Sequence, residues 1–138
     1  MTDKQIIYEF LSQNKYMSLA TTSLDGKPEV ATVEYLVDGD QLIINTFIYY
    51  RKYQNLVDNP QIACVITVDD EKTLQFDARA ELLEGEAAAQ ARQKLMEFDP
   101  GFADFFDDDE TRFFRITPTW LRLRDYTQQP LKTTEYKV

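Results

Sequence analysis

The strongest constraint on the fold of this chain is a strict two-residue alternation within residues 74–82. Apolar side chains there alternate with polar or charged ones, at Leu74, Phe76, Ala78, Ala80 and Leu82. Because successive side chains of a β-strand point to opposite faces, this period predicts a strand with one buried face. The run before it, residues 62–68, is apolar at nearly every position, which is typical of a strand buried on both faces. The sequence therefore predicts a fold built around a sheet.

Further strands are predicted at residues 16–23, 30–37, 41–47 and 112–126. Pro118 is expected to bend the last of them. Turn signals at Asp25-Gly26 and Asp38-Gly39-Asp40 separate the first three, which should therefore be neighbours in a β-meander. The strands are expected to pair mostly antiparallel. Six twisted strands of this length can close into a small barrel, which removes exposed sheet edges.

Helices are predicted around the strands at residues 1–14, 50–59 and 86–98. Thr2 can cap the first of them, and Leu56 and Val57 are expected to face inward from the second. The fold class is therefore mainly β with peripheral helices. Residues 1–138 are expected to form one domain, in which residues 128–138 are a mobile tail.

The residue types that are absent exclude several classes of site. The chain contains no histidine, which excludes Ser-His-Asp and Cys-His catalytic arrangements and most catalytic zinc sites. Its single cysteine, Cys64, lies in an apolar strand and is predicted to be an inert core thiol in a reducing compartment. No signal peptide or membrane-spanning run is recognisable. The chain is therefore predicted to be cytoplasmic and not bound to a membrane.

The net charge of the chain also argues against some classes of binding partner. A net charge of −9, from 15 basic and 24 acidic side chains, disfavours binding to nucleic acids and to anionic lipids. Acidic residues are concentrated between Asp104 and Glu110. A solvated loop is predicted there, with a metal site as the alternative.

The stretch most suggestive of chemistry lies at the start of the second helix. Thr46 ends a strand, and Arg51 and Lys52 open the helix that follows. The free amides and partial positive charge of a helix start suit a phosphate. A guanidinium fork and a mobile ammonium group can bind its oxygens. The alternative is an ordinary pair of solvated cations.

Short segments in a defined order extend from about residue 16 to residue 126. They are Leu19-Ala20-Thr21, Asp25-Gly26-Lys27-Pro28, Leu42-Ile43-Ile44-Asn45-Thr46, Arg51-Lys52-Tyr53-Gln54-Asn55-Leu56, Asn59-Pro60-Gln61-Ile62-Ala63, Ala78-Arg79-Ala80-Glu81-Leu82 and Phe114-Arg115-Ile116-Thr117-Pro118. In this order and spacing the chain resembles the pyridoxamine 5′-phosphate oxidase-like FMN-binding split-barrel family. Each segment is short, so the specificity of the match comes from the whole set.

The resemblance implies a six-stranded antiparallel split β-barrel that forms a homodimer, with FMN in two grooves between the subunits. It implies that Thr46, Arg51 and Lys52 hold the FMN phosphate. Asn45, which precedes the threonine in the same motif, is included among the predicted cofactor-binding residues.

The resemblance also implies contacts to the flavin ring. The strand that includes Thr32 and Val33 lies along the ring system and supplies backbone contacts. Gln75 faces the cofactor, and Trp120 of the last strand can reach it from the other subunit. For Trp120 the alternative is a core or interface aromatic. Arg122 and Arg124 share its strand face and can orient an anion, with ordinary salt bridges as the alternative.

The sequence departs from the family pattern in two places. Phe47-Ile48-Tyr49-Tyr50 replaces a small, glycine- or serine-bearing loop, so its bulky side chains crowd the phosphate pocket or stack on a ligand. The cations expected near Tyr35 and the C-terminal arginine and histidine motif of authentic pyridoxamine phosphate oxidases are missing. Oxidation of pyridoxamine phosphate itself is therefore not expected.

These observations favour an FMN-binding oxidoreductase of undefined small-molecule substrate, which a reduced nicotinamide visits as a transient electron donor. No catalytic residue and no metal ligand is assigned. Three alternatives stay open. The chain is a flavin carrier or sensor without turnover, it holds a deazaflavin or haem instead, or it binds no cofactor and is a structural dimer.

Overall fold

The computed structural model, which describes residues 1–104, 106 and 109–138, contains an eight-stranded antiparallel sheet. Its strands are β1 (Tyr16–Thr22), β2 (Pro28–Glu34), β3 (Leu36–Asp38), β4 (Gln41–Phe47), β5 (Gln61–Val68), β6 (Lys72–Leu83), β7 (Thr111–Asp125) and β8 (Lys132–Lys137). The helices are α1 (Asp3–Ser12), α2 (Arg51–Asp58) and α3 (Gly85–Phe98), and a short 3-10 helix (Pro100–Asp104) follows α3. The predicted class, mainly β with peripheral helices, is confirmed.

The sheet curls into a barrel because its two ends are consecutive in the chain. The strand order is β2-β1-β5-β6-β7-β4-β3, and only Tyr35 separates β2 from β3. The predicted strand at residues 30–37 is thus broken at Tyr35, where β2 leaves its partner β1 and β3 joins β4. The predicted meander is confirmed. The break allows the predicted strand at residues 30–37 to pair with β1 through its β2 part and with β4 through its β3 part. The predicted split barrel is confirmed as well, but it has eight strands and not six, because the break at Tyr35 divides one predicted strand and β8 adds another.

The C-terminal segment differs from the prediction of a mobile tail, because Lys132–Lys137 forms strand β8. One edge of β7 pairs first with β4 and then, from Trp120 onward, with β8. Thr134 of β8 is buried, and α1 packs against this strand. A single tyrosine is the only large apolar residue in β8, so its sequence carries almost no strand signal.

The predicted alternation in β6 is visible in its burial. The residues at even positions, among them Leu74 and Phe76, face the main core inside the barrel. The pairing register between β6 and β7 shifts next to Pro118, where the last strand was expected to bend. Beyond this irregularity Leu121 and Leu123 point into the core, so Trp120 and its alternate neighbours lie on the outer face.

Two helices cover the barrel at different places. The Tyr35 hydroxyl donates to the Leu11 carbonyl at 2.7 Å, which ties α1 to the junction of β2 and β3. Leu56 of α2 is buried in the main core, but Val57, which was expected to face inward, is exposed. A period of 3.6 residues over one short helix does not distinguish two adjacent apolar positions.

The outer surface of the sheet is covered on one side only. The third helix and the 3-10 helix pack on β4, β6 and β7 through a second cluster, formed by Ile43, Leu83, Ala91, Leu95, Phe102 and Phe113. Strand β5 was expected to be buried on both faces, but Ala63 and Val65 on its outer face are exposed. Among the described residues, no helix is long and apolar enough to cross a membrane.

Candidate functional site

The start of α2 carries charges that oppose helix stability. Its N-cap residue, Tyr50, has an extended backbone and no side-chain hydrogen bond to the first turn. Arg51 and Lys52 then place two cations beside the positive end of the helix dipole, where acidic residues are the stabilising choice. In this first turn the Tyr53 amide donates to the Tyr50 carbonyl at 3.0 Å, so the amides of Arg51 and Lys52 are the ones that another acceptor can use. An anion would satisfy both the amides and the cations.

Among the described residues, Arg51 forms an ion pair in which its own side chain is largely exposed. Its Nε lies 3.4 Å from Oε1 of Glu29 on β2, and the two side chains are 75% and 16% exposed. Pairs of this kind contribute about 0–1 kcal/mol. The guanidinium can therefore turn toward a ligand with little loss of stability.

Lys52 is more constrained than Arg51. Its Nζ lies 4.5 Å from the centroid of the Tyr50 ring, within the range of a cation–π contact. Burial lowers the pKa of Lys52, and the nearby Glu29 carboxylate opposes that shift. Glu29 thus acts on both cations and competes with any incoming anion. Sequence reasoning missed Glu29, because its position beside α2 depends on the tertiary fold.

Thr46 lies on the inner face of β4, next to the helix that packs on this strand. The residue is only 2% exposed, and its Oγ1 is buried without a hydrogen-bond partner among the described residues. A buried hydroxyl without a partner is rare and destabilising by about 1–3 kcal/mol. A ligand reaches this oxygen only if the side chains that cover it move.

The bulky loop before α2 packs largely on itself. The rings of Phe47 and Tyr49 are parallel with centroids 5.4 Å apart, and Tyr50 stands edge-on to both at 5.3 and 5.2 Å. This arrangement, which we call the aromatic cluster (Phe47, Tyr49 and Tyr50), leaves both tyrosines exposed. It forms one wall next to the cations of α2.

Three of the other predicted residues lie on the outer face of the sheet, namely Thr32, Gln75 and Trp120. A cross-strand row runs from Thr32 through Ser18, Val65 and Gln75 to Arg122. The Arg122 Nη2 donates to Gln75 Oε1 at 3.0 Å. The row crosses the uncovered part of the barrel.

Trp120 lies one row further along on the same face. The Arg122 guanidinium lies 5.2 Å from the centroid of the Trp120 ring. The indole Nε1 of Trp120 donates to Glu135 Oε1. The Nε of Arg124 is buried and has no hydrogen-bond partner among the described residues. Within one chain, Trp120 is half-buried beside β8 and is not part of the main core.

The side chains of the remaining two predicted residues, Val33 and Asn45, are less accessible to a ligand. Val33 is buried in the main core, so only its backbone is available to a ligand. Asn45 points to the opposite face of β4 from Thr46 and is half-buried opposite Phe113 of β7. Within one chain, the described contacts of Arg51 and Lys52 are with Glu29 and Tyr50, whereas those of Gln75 are with Arg122.

A groove of about 640 Å³ lies on the same outer face. Small or polar side chains of four strands line it, including Ala20, Ala63, Asp77, Arg79 and Thr119. The volume is in the range of small-molecule sites. The groove is open, as is expected of a surface that another molecule completes.

Cys64 and the acidic stretch are the two other candidates that the sequence offers. Cys64 is buried, and burial raises the pKa of its thiol to about 12, which agrees with an inert core thiol. No cluster of acidic, cysteine or histidine residues suited to a metal ion occurs in the described part of the chain. Asp107 and Asp108 of the acidic stretch lie outside the described residues.

The family model described as pyridoxamine 5′-phosphate oxidase matches residues 4–125. The chain belongs to this family. The match includes α1 and every strand of the barrel path and ends before β8. No curated protein sequence matches this chain.

Solved structures of similar fold carry different descriptions. The haem storage protein HutZ from Vibrio cholerae is 24% identical, with a TM-score of 0.71 over 86% of this chain and 91% of that one. A haem-binding protein from Mycobacterium smegmatis is 16% identical, with a TM-score of 0.81 over 97% of this chain but only 58% of that one. A FAD-binding protein from Mesorhizobium loti is 18% identical, with a TM-score of 0.71 over 86% of this chain and 90% of that one. At these identities the likeness establishes the fold alone, and function has to be argued from the site.

Proposed function

We propose that this chain binds FMN through the start of α2 and acts as a flavin-dependent oxidoreductase on a small-molecule substrate. The observation that carries the proposal is the pair of cations in an uncapped first turn, Arg51 and Lys52. Two cations at this end of a helix repel its dipole unless an anion lies beside them. A nucleotide phosphate supplies such an anion.

The donors around α2 fit a phosphate group. Arg51 offers a planar fork, Lys52 a point charge, and Thr46 a hydroxyl that has no partner of its own. Glu29 reduces the local positive charge, and it has to give up Arg51 when the phosphate binds. The start of α2 therefore offers hydrogen-bond donors of the type and number that a phosphate group accepts from.

Bound FMN supplies the transfer of hydride or electrons, which this chain's side chains cannot perform. The residues of the outer face orient the ring and exclude water from it. The backbone of β2 around Thr32 and Val33 offers edge contacts, and the Gln75 amide, fixed by Arg122, lies on the same row. A reduced nicotinamide is the proposed transient donor, and the cytoplasm is the proposed compartment.

We propose that a second copy of the chain covers the outer face and completes two cofactor grooves. Val30 is 67% exposed and Val65 is 37% exposed there, next to the small side chain of Ala63. Apolar strand residues that a single chain leaves exposed are typical of an interface. The exposed side of β5, which its sequence predicts to be buried, supports the same proposal.

Titration of FMN into the purified protein, followed by quenching of flavin fluorescence, tests the phosphate site. The double variant Arg51→Ala/Lys52→Ala should bind FMN at least about tenfold more weakly, because two charge-assisted contacts contribute roughly 1.5 to 3 kcal/mol each. Lys15→Ala/Lys132→Ala is the matched control, since it removes two exposed cations elsewhere. Equal affinities of the two double variants would place the phosphate elsewhere.

Haem is the second candidate ligand, because two of the similar structures are described as haem proteins. This chain has no histidine to serve as an axial ligand. Its Cys64 and Met17 are buried in the main core. The absence of histidine therefore favours the flavin, whereas exposed tyrosines, which can also ligate haem iron, leave haem as the second candidate.

Turnover separates an enzyme from a carrier or sensor. An oxidoreductase bound to FMN should consume a reduced nicotinamide steadily when an electron acceptor is present. Binding of FMN without such consumption would assign the chain to the carrier or sensor class. Binding of a deazaflavin in preference to FMN would reassign the cofactor but retain the phosphate site.

A further inference from the structure

The groove of about 640 Å³ on the outer face carries a carboxylate and a guanidinium on the same strand. Asp77 and Arg79 both lie on the exposed face of β6, and both line the groove. Residues two apart in a strand point to the same side, and their Cα atoms are about 6.8 Å apart. Opposite charges are therefore placed next to each other along one strand.

These two charges are not neutralised within one chain. In the part of the chain that the structure describes, no hydrogen bond or ion pair involves the Asp77 carboxylate or the Arg79 guanidinium. Thr119 Oγ1 donates at 3.2 Å to the backbone carbonyl of Asp77, which does not affect its side chain. Both charges are thus left to solvent or to another molecule.

The residues around this pair allow another surface to come close. Ala63 of β5 is the strand neighbour of Asp77, and Ala20 of β1 is the neighbour of Ala63. Both alanines line the groove, and their short side chains leave room above the sheet. Val65 lies two positions from Ala63 on the same exposed face of β5. The charge pair is therefore continuous with the apolar residues of the proposed interface between two copies.

A second copy on this face would remove both charges from water. A charged group buried in this way is strongly destabilising unless it is paired. In a dimer with two-fold symmetry the same patch lies on both sides, so a contact from one residue to another is always made twice. A two-fold axis close to Ala78 brings Asp77 of each copy opposite Arg79 of the partner subunit. Facing sheets are about 10 Å apart, a distance that these two side chains together can span.

The order of the two charges also distinguishes one register from its neighbours. A shift of the facing strand by two residues sets Asp77 of one copy against Asp77 of the partner subunit, which is repulsive. The chain has a net charge of −9, so two copies also repel each other at long range. Association of this acidic chain with itself therefore benefits from a local attraction between opposite charges.

We infer that Asp77 and Arg79 form two reciprocal ion pairs between subunits, and that these pairs fix the register in which two copies of the chain associate. The inference rests on the proposed function, because it names the residues by which the second copy is recognised on the outer face. Charge complementarity of this kind contributes mainly to specificity and register. A shifted register would misalign the two cofactor grooves that the second copy is proposed to complete.

Charge reversal in the full-length protein tests these pairs. Asp77→Lys leaves two cations on the patch and Arg79→Glu leaves two carboxylates, so each variant alone sets like charges against each other at both contacts. The dissociation constant of either homodimer, measured by analytical ultracentrifugation, should be at least about a hundredfold higher than that of the natural dimer. An equimolar mixture of the two variants should form a heterodimer, because every contact then joins opposite charges.

Three further measurements complete the experiment. Native mass spectrometry should identify the heterodimer by its mass, and its formation also shows that both variants are folded. The exchanged variant Asp77→Arg/Arg79→Asp should form a homodimer again, since it restores opposite charges at both contacts. Glu97→Lys, which reverses one exposed charge on α3, is the matched control and should dimerise like the natural chain.

Each other outcome has a defined meaning. If the natural chain is a dimer and both single variants dimerise equally well, the reciprocal pairs are wrong and the proposed second copy still stands. Failure of both the mixture and the exchanged variant to dimerise would also overturn the inference, because restored charge complementarity should restore the contact. A natural chain that is monomeric would overturn the proposed second copy together with this inference.

Discussion

Glu29 decides how strongly the start of α2 attracts an anion. Its carboxylate lies within 3.4 Å of the Arg51 Nε and acts on the pKa of Lys52 against the effect of burial. The sequence places Glu29 in a strand far from the helix, so no local pattern connects them. The cations themselves were predictable, because their position at a helix start is a local property. Their acidic competitor is a tertiary contact and was not.

Burial of Cys64 predicts a loss of stability at high pH. Its pKa rises to about 12 in the folded chain, whereas an unfolded thiol ionises at about 8.5. Between these values only the unfolded state loses its proton, so stability is full below the lower value and falls as the pH rises toward the higher one. From about pH 8 to about pH 11 the free energy of unfolding should fall by about 3 kcal/mol more in the natural chain than in Cys64→Ala.

Urea denaturation at both pH values measures this difference. Tyr8 and Tyr35 also have raised pKa values because of burial, but they are present in both proteins and cancel in the comparison. Parallel pH profiles for the two proteins would show that the thiol is not protected from ionisation.

Among the secondary-structure elements, β8 is the strand that the sequence did not predict. It completes the edge of β7 beyond β4 and supports α1. Its ladder is formed largely by polar residues, so its stability comes from backbone hydrogen bonds and from a neighbouring edge that only the folded barrel supplies. The alternating strand β6 needed no such context, since its own period specifies which face is buried.

Removal of β8 should therefore destabilise the barrel. A chain that ends at Thr127 exposes the edge of β7 from Trp120 to Asp125 and uncovers part of α1. Loss of several ladder hydrogen bonds should lower the free energy of unfolding by on the order of 3 kcal/mol. Urea denaturation gives the value, and light scattering should show aggregation through the open edge. A chain that ends at Tyr136 is the control, and equal stability of the two truncated chains would contradict the role given to β8.

The break at Tyr35 shows why strand boundaries were harder to predict than strands. Residues 30–37 read as one strand, and all of them belong to β2 or β3 except Tyr35, where the chain changes partner. There the Tyr35 amide donates to the Lys15 carbonyl at 2.8 Å and its hydroxyl to Leu11. Both acceptors belong to segments distant in sequence, so no local signal marks the break.

At the scale of the whole molecule, the uncovered side of the barrel is the feature that one chain does not explain. Helix α3 covers the outer face of β4, β6 and β7, whereas β1, β2 and β5 present Val30, Ala63 and Val65 outward. The sequence predicted burial on both faces of β5 from its apolar content alone. That prediction is wrong for the isolated chain and is the expected pattern for a chain that pairs with its copy.

A charge on this face should separate the two copies. Val65→Glu places a carboxylate where the proposed interface excludes water, which is strongly unfavourable for an ionised group. Sedimentation should show a dimer for the natural chain and a monomer for Val65→Glu, with weaker FMN binding in the monomer. Phe98→Glu, on the side covered by α3, should remain a dimer. A natural chain that sediments as a monomer at micromolar concentration would contradict the dimer.

The identity of the ligand that the purified protein retains tests the central claim most directly. After saturation with FMN and removal of unbound ligand, the natural chain should show a flavin absorption spectrum. The ligand released by denaturation should have the mass of a flavin nucleotide, and Arg51→Ala/Lys52→Ala should retain far less of it. A protein that holds no flavin under these conditions, or one that takes up haem instead, would contradict the account.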